Sequence, residues 1–119
     1  MNGAAVLVVE DAPQIRATAV QMFEELGCEV FDAYNGHDAL EILQARPEIQ
    51  VLFADVRMPG MSGPELAQVA RRRWPDLRIV LTSGYVSDEE VPSGIPFVPK
   101  PWRTADLIGV VRPASARRH

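Results

Sequence analysis

Asp11, Asp55, Ser83 and Lys100 lie far apart in the chain, yet each closes or directly follows an apolar, β-branched run. If those runs are strands of one parallel sheet, their ends share a rim, and that rim is where open α/β sheets bind ligands. The residue types suit phosphate chemistry. Carboxylates at close range resist being ionised together. A divalent, oxygen-seeking cation relieves that repulsion, and Mg²⁺ binds through one or two carboxylates, keeps water, and takes further oxygens from phosphate. A carboxylate can also attack phosphorus to give an aspartyl phosphate. The ammonium of Lys100 offers a point charge to a phosphoryl oxygen, and the Ser83 hydroxyl offers a donor. Gly84, lacking a side chain, leaves room for the group to approach. Each residue alone has an ordinary reading: Asp11 as a helix cap, Asp55 and Ser83-Gly84 as turn formers, Lys100 as a solvated cation. Their joint occurrence at four strand ends favours a single site.

The elements that must position these residues are legible as an alternation. Ala4 to Val9 is a continuous apolar run of the kind buried on both faces of a parallel sheet, and it ends at Glu10-Asp11. A helical pattern follows, with Ile15, Ala19, Met22, Phe23 and Leu26 on its inward face, Pro13 near its start and Gly27 past its end. Cys28 to Ala33 reads as an edge strand and Asn35-Gly36 as a turn. Leu40, Ile42 and Leu43 mark a second helix that stops before Pro47. Val51 to Ala54 is a buried strand ending on Asp55. Ser62 and Glu65 form a capping-box pattern with Pro64 in the first helical turn. That helix turns Leu66, Val69 and Ala70 inward and closes on Arg71-Arg72-Arg73, read as a solvated end that suits the helix dipole. Leu77 to Leu81 is a fourth strand. Residues 85–96 hold three acids, two prolines and a glycine, which leaves space for a short helix at most. Phe97-Val98-Pro99 reads as a fifth strand, and a last helix starts near Thr104 and presents Leu107, Val110 and Val111. The pattern predicts an α/β fold, a parallel sheet with helices on both faces and a short or degenerate fourth helix.

Composition narrows the functional class. The chain has 119 residues, 47% of them hydrophobic and 24% charged, which fits a single globular domain over 1–119. The net charge of −4 argues against sequence-independent nucleic-acid binding. Arg112, Arg117 and Arg118 read as a solvated basic tail. Cys28, the one cysteine, has no disulfide partner and reads as a buried structural thiol. No apolar run has the length of a membrane helix, about 20 residues, and no signal peptide is visible. A cytoplasmic protein is the expectation.

Four segments taken together resemble the receiver domain of two-component response regulators: Val8-Val9-Glu10-Asp11, Ala54-Asp55-Val56-Arg57-Met58-Pro59-Gly60-Met61-Ser62-Gly63, Leu81-Thr82-Ser83-Gly84-Tyr85, and Phe97-Val98-Pro99-Lys100-Pro101. The likeness covers nearly the whole chain. It implies a doubly wound, flavodoxin-like five-stranded sheet in the order 2-1-3-4-5. It implies Asp55 as phosphoacceptor, Asp11 as a direct Mg²⁺ ligand, Glu10 acting through water, and the main-chain carbonyl of Arg57 as a further ligand. Ser83 would be the switch hydroxyl, preferred over Thr82 because Gly84 follows it. Lys100 would bind the phosphoryl group, with a cis bond to Pro101. Phe97 would hold the aromatic switch position, where its ordinary reading is a core residue. Arg57 and Tyr85 lie where they can tune the lifetime of the phosphoryl group. Glu10 stands where aspartate is commoner. Lys100 follows Ser83 by only 17 positions, fewer than is usual in the family. A truncated fourth helix would alter the face that the family uses for output and dimerisation.

The implied function is a phosphorylation-driven switch with no enzymatic activity beyond its own phosphorylation and dephosphorylation. Its partners would be a histidine kinase or phosphotransfer protein and an unknown downstream protein, with no direct contact to nucleic acid or membrane. No effector segment follows, so output is expected through a protein partner, or the chain is a relay, a phosphate sink or a piece of a hybrid kinase or larger regulator. Three other readings stand beside it. An aspartyl-nucleophile phosphatase would show a second acid two positions after Asp55, where Arg57 stands. A receiver-fold module that binds without phosphorylation would not need the acidic pair. A nucleotide- or flavin-binding domain would carry a Gly-rich loop after the first strand.

Overall fold

The computed structural model describes residues 3–84 and 91–111. Their elements are β1 (Ala5–Val9), α1 (Pro13–Glu25), β2 (Glu29–Ala33), α2 (Gly36–Ala45), β3 (Val51–Asp55), α3 (Gly63–Arg73), β4 (Arg78–Ser83), β5 (Phe97–Pro99) and α4 (Thr104–Val111). The five strands form one sheet in the order β2-β1-β3-β4-β5. All its pairings are parallel. This is the doubly wound arrangement that the alternation and the resemblance predict.

Burial explains the strand compositions. Every residue of β1 and β3 is buried, which is why both read as unbroken apolar runs. The edge strand β2 is mostly half-buried or exposed and reads more weakly. Side chains alternate across the sheet. Leu7, Val9, Leu52, Ala54 and Leu81 pack with α2 and α3. Val6, Val8, Phe53 and Val80 pack with α1 and α4. Phe53 anchors the second cluster, with Phe23 and Trp102 edge-on to it at 5.2 and 5.5 Å between ring centroids.

Helix boundaries follow their local chemistry. The Ser62 hydroxyl accepts from the Glu65 amide at 3.2 Å, and the Glu65 carboxylate accepts from the Ser62 amide at 2.9 Å, closing the capping box at α3. Asn35 caps α2 by accepting from the Asp38 amide. Gly27, at φ +89°, lets the chain leave α1 in the left-handed conformation.

Several expectations need correction. Ile15 is exposed, because the first turn of α1 stands at the rim, past the end of the sheet that buries Ala19 and Phe23. In α3 the fully buried partner of Leu66 and Ala70 is Ala67, while Val69 is half-buried. The arginines closing α3 are not simply solvated. Arg71 donates to the Ser93 carbonyl at 3.1 Å, and Arg73 donates to the Gln44 side chain at 2.7 Å and stacks over Trp74. Of the segment expected to hold at most a short fourth helix, the described residues 91–96 form a turn and bend. Positions 85–90, including Tyr85, lie outside the described residues, as do the basic residues of 112–119.

Gly63 is the point where the fold closes on the site. A Cβ there would overlap the main-chain carbonyl of Asp55 and lie 2.9 Å from Val56 Cα, so α3 can start this close to β3 only with glycine. We expect Gly63→Ala to lower unfolding stability by about 1–3 kcal/mol. Urea denaturation would show a lower midpoint with an unchanged slope, and an unchanged midpoint would refute the close approach.

Candidate functional site

The parallel register carries Glu10 just past β1, Asp55 to the end of β3 and Lys100 just past β5. The strands alternate so that all three side chains emerge on the α1/α4 face: Val8, Phe53 and Val98, two positions earlier in each case, pack in that face's cluster. Lys100 Nζ lies 2.9 Å from Asp55 Oδ1 and 3.0 Å from Glu10 Oε1. The other Glu10 oxygen accepts from the Ala12 amide at 3.1 Å. Asp11, the most exposed of the acids, completes a cluster in which Glu10, Asp11 and Asp55 each bring a carboxylate oxygen within 4.8 Å of the others. Glu10, Asp55 and Ser83 are buried. Glu10, Asp55 and Lys100 thus meet from positions 10, 55 and 100; of the strand-end set read from sequence, Asp11 joins through the acidic cluster, while Ser83 lies on the opposite face of the sheet.

Residues 6–112 match the response regulator receiver domain family. This chain belongs to that family. The receiver is 34% identical over 117 residues to the sensor kinase CckA of Brucella abortus (strain 2308), an alignment covering 93% of this chain and 12% of that protein. It is 32% identical over 111 residues to the response regulator receiver protein CpdR of the same organism, covering 89% of this chain and 92% of CpdR. It superposes on the crystal structure of the receiver domain from hybrid histidine kinase CckA with a TM-score of 0.76 at 33% identity, over 88% of this chain and 93% of that one.

In this receiver, Glu10, Asp11 and Asp55 form a cluster that could hold a metal ion. The acidic cluster is all oxygen, which suits Mg²⁺. Asp55 Oδ1 is buried and is held by the Lys100 ammonium at 2.9 Å. Burial pushes the Asp55 carboxyl above the usual carboxylate range, while Lys100 and the Arg57 amide pull the other way. Burial raises Glu10 as well, against hydrogen bonds from Lys100 and Ala12. For Lys100, burial favours the neutral amine, but Asp55 and Glu10 together outweigh it and hold the ammonium above the ordinary lysine value.

The remaining candidates divide between the two faces of the sheet. Ser83 follows Leu81 by two positions and belongs to the α2/α3 side. So does Phe97, which pairs with Leu81 and packs half-buried against that cluster. Thr82 points the other way, and its hydroxyl accepts from the Trp102 indole at 2.7 Å. Its commitment to Trp102 gives a structural distinction between Thr82 and Ser83 that sequence supplied only through Gly84. A Cβ at Gly84 would meet no described atom within 4 Å, so internal packing makes no demand for glycine there. Arg57 is exposed, and the Lys100-Pro101 bond is cis.

Two contributors were not legible in sequence. Arg16 donates to the Glu10 carbonyl at 2.8 Å and pairs with Asp32 at 3.1 Å, tying the loop after β1 to the edge strand. Its spacing from Asp11 carries no motif that would have flagged it. Trp102, two residues past Lys100, is conspicuous only as a bulky aromatic after Lys-Pro.

The raised carboxyl values set a pH dependence. A carboxyl whose pKa is higher in the folded than in the unfolded chain binds its proton more tightly when folded, so stability falls as pH rises from the ordinary carboxylate value through the raised one. We expect metal-free protein to lose melting temperature across that window, and Asp55→Asn to lose less. Thermal melts of both proteins across the acid-to-neutral range check this; parallel curves would refute it.

Proposed function

We propose that this receiver accepts a phosphoryl group on Asp55 and uses it to change a protein-binding surface. The supporting observation is the Asp55 carboxylate, buried in an acidic cluster with one oxygen 2.9 Å from the Lys100 ammonium. An Asp55 oxygen bonds to phosphorus as the P–N bond of a donor phosphohistidine breaks, and the released imidazole nitrogen takes up a proton. The donor is a histidine kinase or phosphotransfer protein, a reading supported by likeness to a sensor kinase and to a response regulator receiver protein. Glu10, Asp11, Asp55 and the Arg57 main-chain carbonyl would hold Mg²⁺, which when bound neutralises charge on the phosphoryl oxygens.

Lys100 starts on two carboxylates and needs only a small shift to reach a phosphoryl oxygen. Ser83, at the end of the neighbouring strand, donates its hydroxyl to another oxygen, and Gly84 leaves the approach open. Phe97, on Ser83's face of the sheet, adjusts with it. The added charge shifts a pre-existing balance between two forms of the rim. Water attacking phosphorus breaks the Asp55 O–P bond, restores the carboxylate and releases inorganic phosphate, with Arg57 at the mouth tuning water's access. The chain then catalyses only its own phosphorylation and dephosphorylation, in the cytoplasm, and signals through a protein partner without touching nucleic acid or membrane.

With Mg²⁺ and acetyl phosphate, wild type should gain one phosphoryl group by intact mass, and Asp55→Asn none. Lys100→Ala should slow the gain about ten-fold or more. A wild type that never gains the group would sink the reading.

A further inference from the structure

Thr82 lies beside Asp55 in the sheet and Trp102 lies two residues past Lys100, and neither has a part in the chemistry above. In the sheet register Thr82 stands opposite Asp55 on one side and Val98, two residues before Lys100, on the other. Its side chain projects to the face that carries Asp55, Glu10 and Lys100. The Trp102 indole N–H donates to Thr82 Oγ1 at 2.7 Å, and the ring sits edge-on to Phe53, two residues before Asp55. Lys100 Nζ lies 5.9 Å from the centroid of that ring, at the outer reach of a cation–π contact. The Thr82 main chain is held as well: its carbonyl accepts from the Val56 amide at 2.8 Å, and the next carbonyl, of Ser83, accepts from the Lys100 amide at 3.0 Å. One residue thus touches the strand of the acceptor, the strand of the lysine and the residue that carries the switch hydroxyl.

We propose that the Trp102–Thr82 bond is a positioning pair for Lys100. Lysine has a flexible four-carbon stem and a rotatable head. Its ammonium can serve two carboxylates at once only if the base of the stem is fixed, and the indole two residues on fixes it. An apolar pair would fill the same space. The Thr82 hydroxyl is buried and the Trp102 indole half-buried, so the two are best satisfied by each other, and that preference selects one placement of the Lys100-Pro101-Trp102 segment against β4. The inference deepens the proposed phosphoacceptor function and rests on it for its kinetic reading.

The test uses the full chain, with Thr82→Val, Trp102→Phe and Lys100→Ala, each confirmed folded at the assay temperature by its thermal melt. Thr82→Val keeps the volume and removes the acceptor. It should slow phosphoryl gain from acetyl phosphate and Mg²⁺ by about three- to ten-fold, the size of one hydrogen bond's contribution. In the Lys100→Ala background the same substitution should have no further effect, because the residue being positioned is gone. Trp102→Phe keeps an aromatic ring, though a smaller one, removes the donor and should act in the same way, which covers the case in which Thr82→Val fails to fold. A lower melting temperature with an unchanged rate, or an equal slowing with and without Lys100, would overturn the proposal. If wild type gains no phosphoryl group, the phosphoacceptor reading fails separately, and NMR of the Trp102 indole N–H decides. Its signal should move on Lys100→Ala and Asp55→Asn if the pair is coupled to the lysine, and an unmoved signal refutes the coupling.

Discussion

Two carboxylates, those of Glu10 and Asp55, are buried side by side, and the Lys100 ammonium within 3.0 Å of both is what makes that placement tolerable. Ionised acids in a partly dry site repel one another and each lacks its hydration. One cation shared between them offsets both penalties incompletely, which is why both acids still hold their protons more tightly than free carboxyls. The rest of the fold serves to bring one lysine onto two acids.

The parallel sheet does this by register rather than by sequence proximity. Three strand ends from positions 10, 55 and 100 reach one rim, and period-two alternation turns their side chains to a single face. Ser83 and Phe97 sit on the other face, with the α2/α3 cluster. The rim is thus lined from both sides of the sheet, by Lys100 and Trp102 on the α1/α4 side and by Ser83 and Phe97 on the other.

In the connection from β4 to β5, the described residues 91–96 are turn and bend, and Arg71 of α3 reaches across to the Ser93 carbonyl. A cation that the sequence reading assigned to a solvated helix end thus ties this connection to the body of the domain.

The sequence by itself determined the layers, the strand ends and the residue types at the rim. Continuous apolar runs, a capping box and Gly27 are local signals, and Asp55, Ser83 and Lys100 were legible because each interrupts such a run. Tertiary structure decided what depends on contacts between distant segments. Ile15 follows a good helical period but overhangs the rim, where no sheet covers it. Ala67 rather than Val69 fills the groove under α3, because orientation against the sheet, not hydrophobicity, chooses the buried face. Gly63 is required by the Asp55 carbonyl, a steric neighbour that sequence does not place beside it. Lys100 was visible as a cation at a strand end, but its sharing between Glu10 and Asp55, and the indole bond to Thr82 beneath it, arise only when β1, β3, β4 and β5 lie side by side. A side chain's type is local, and its partner is a property of the register.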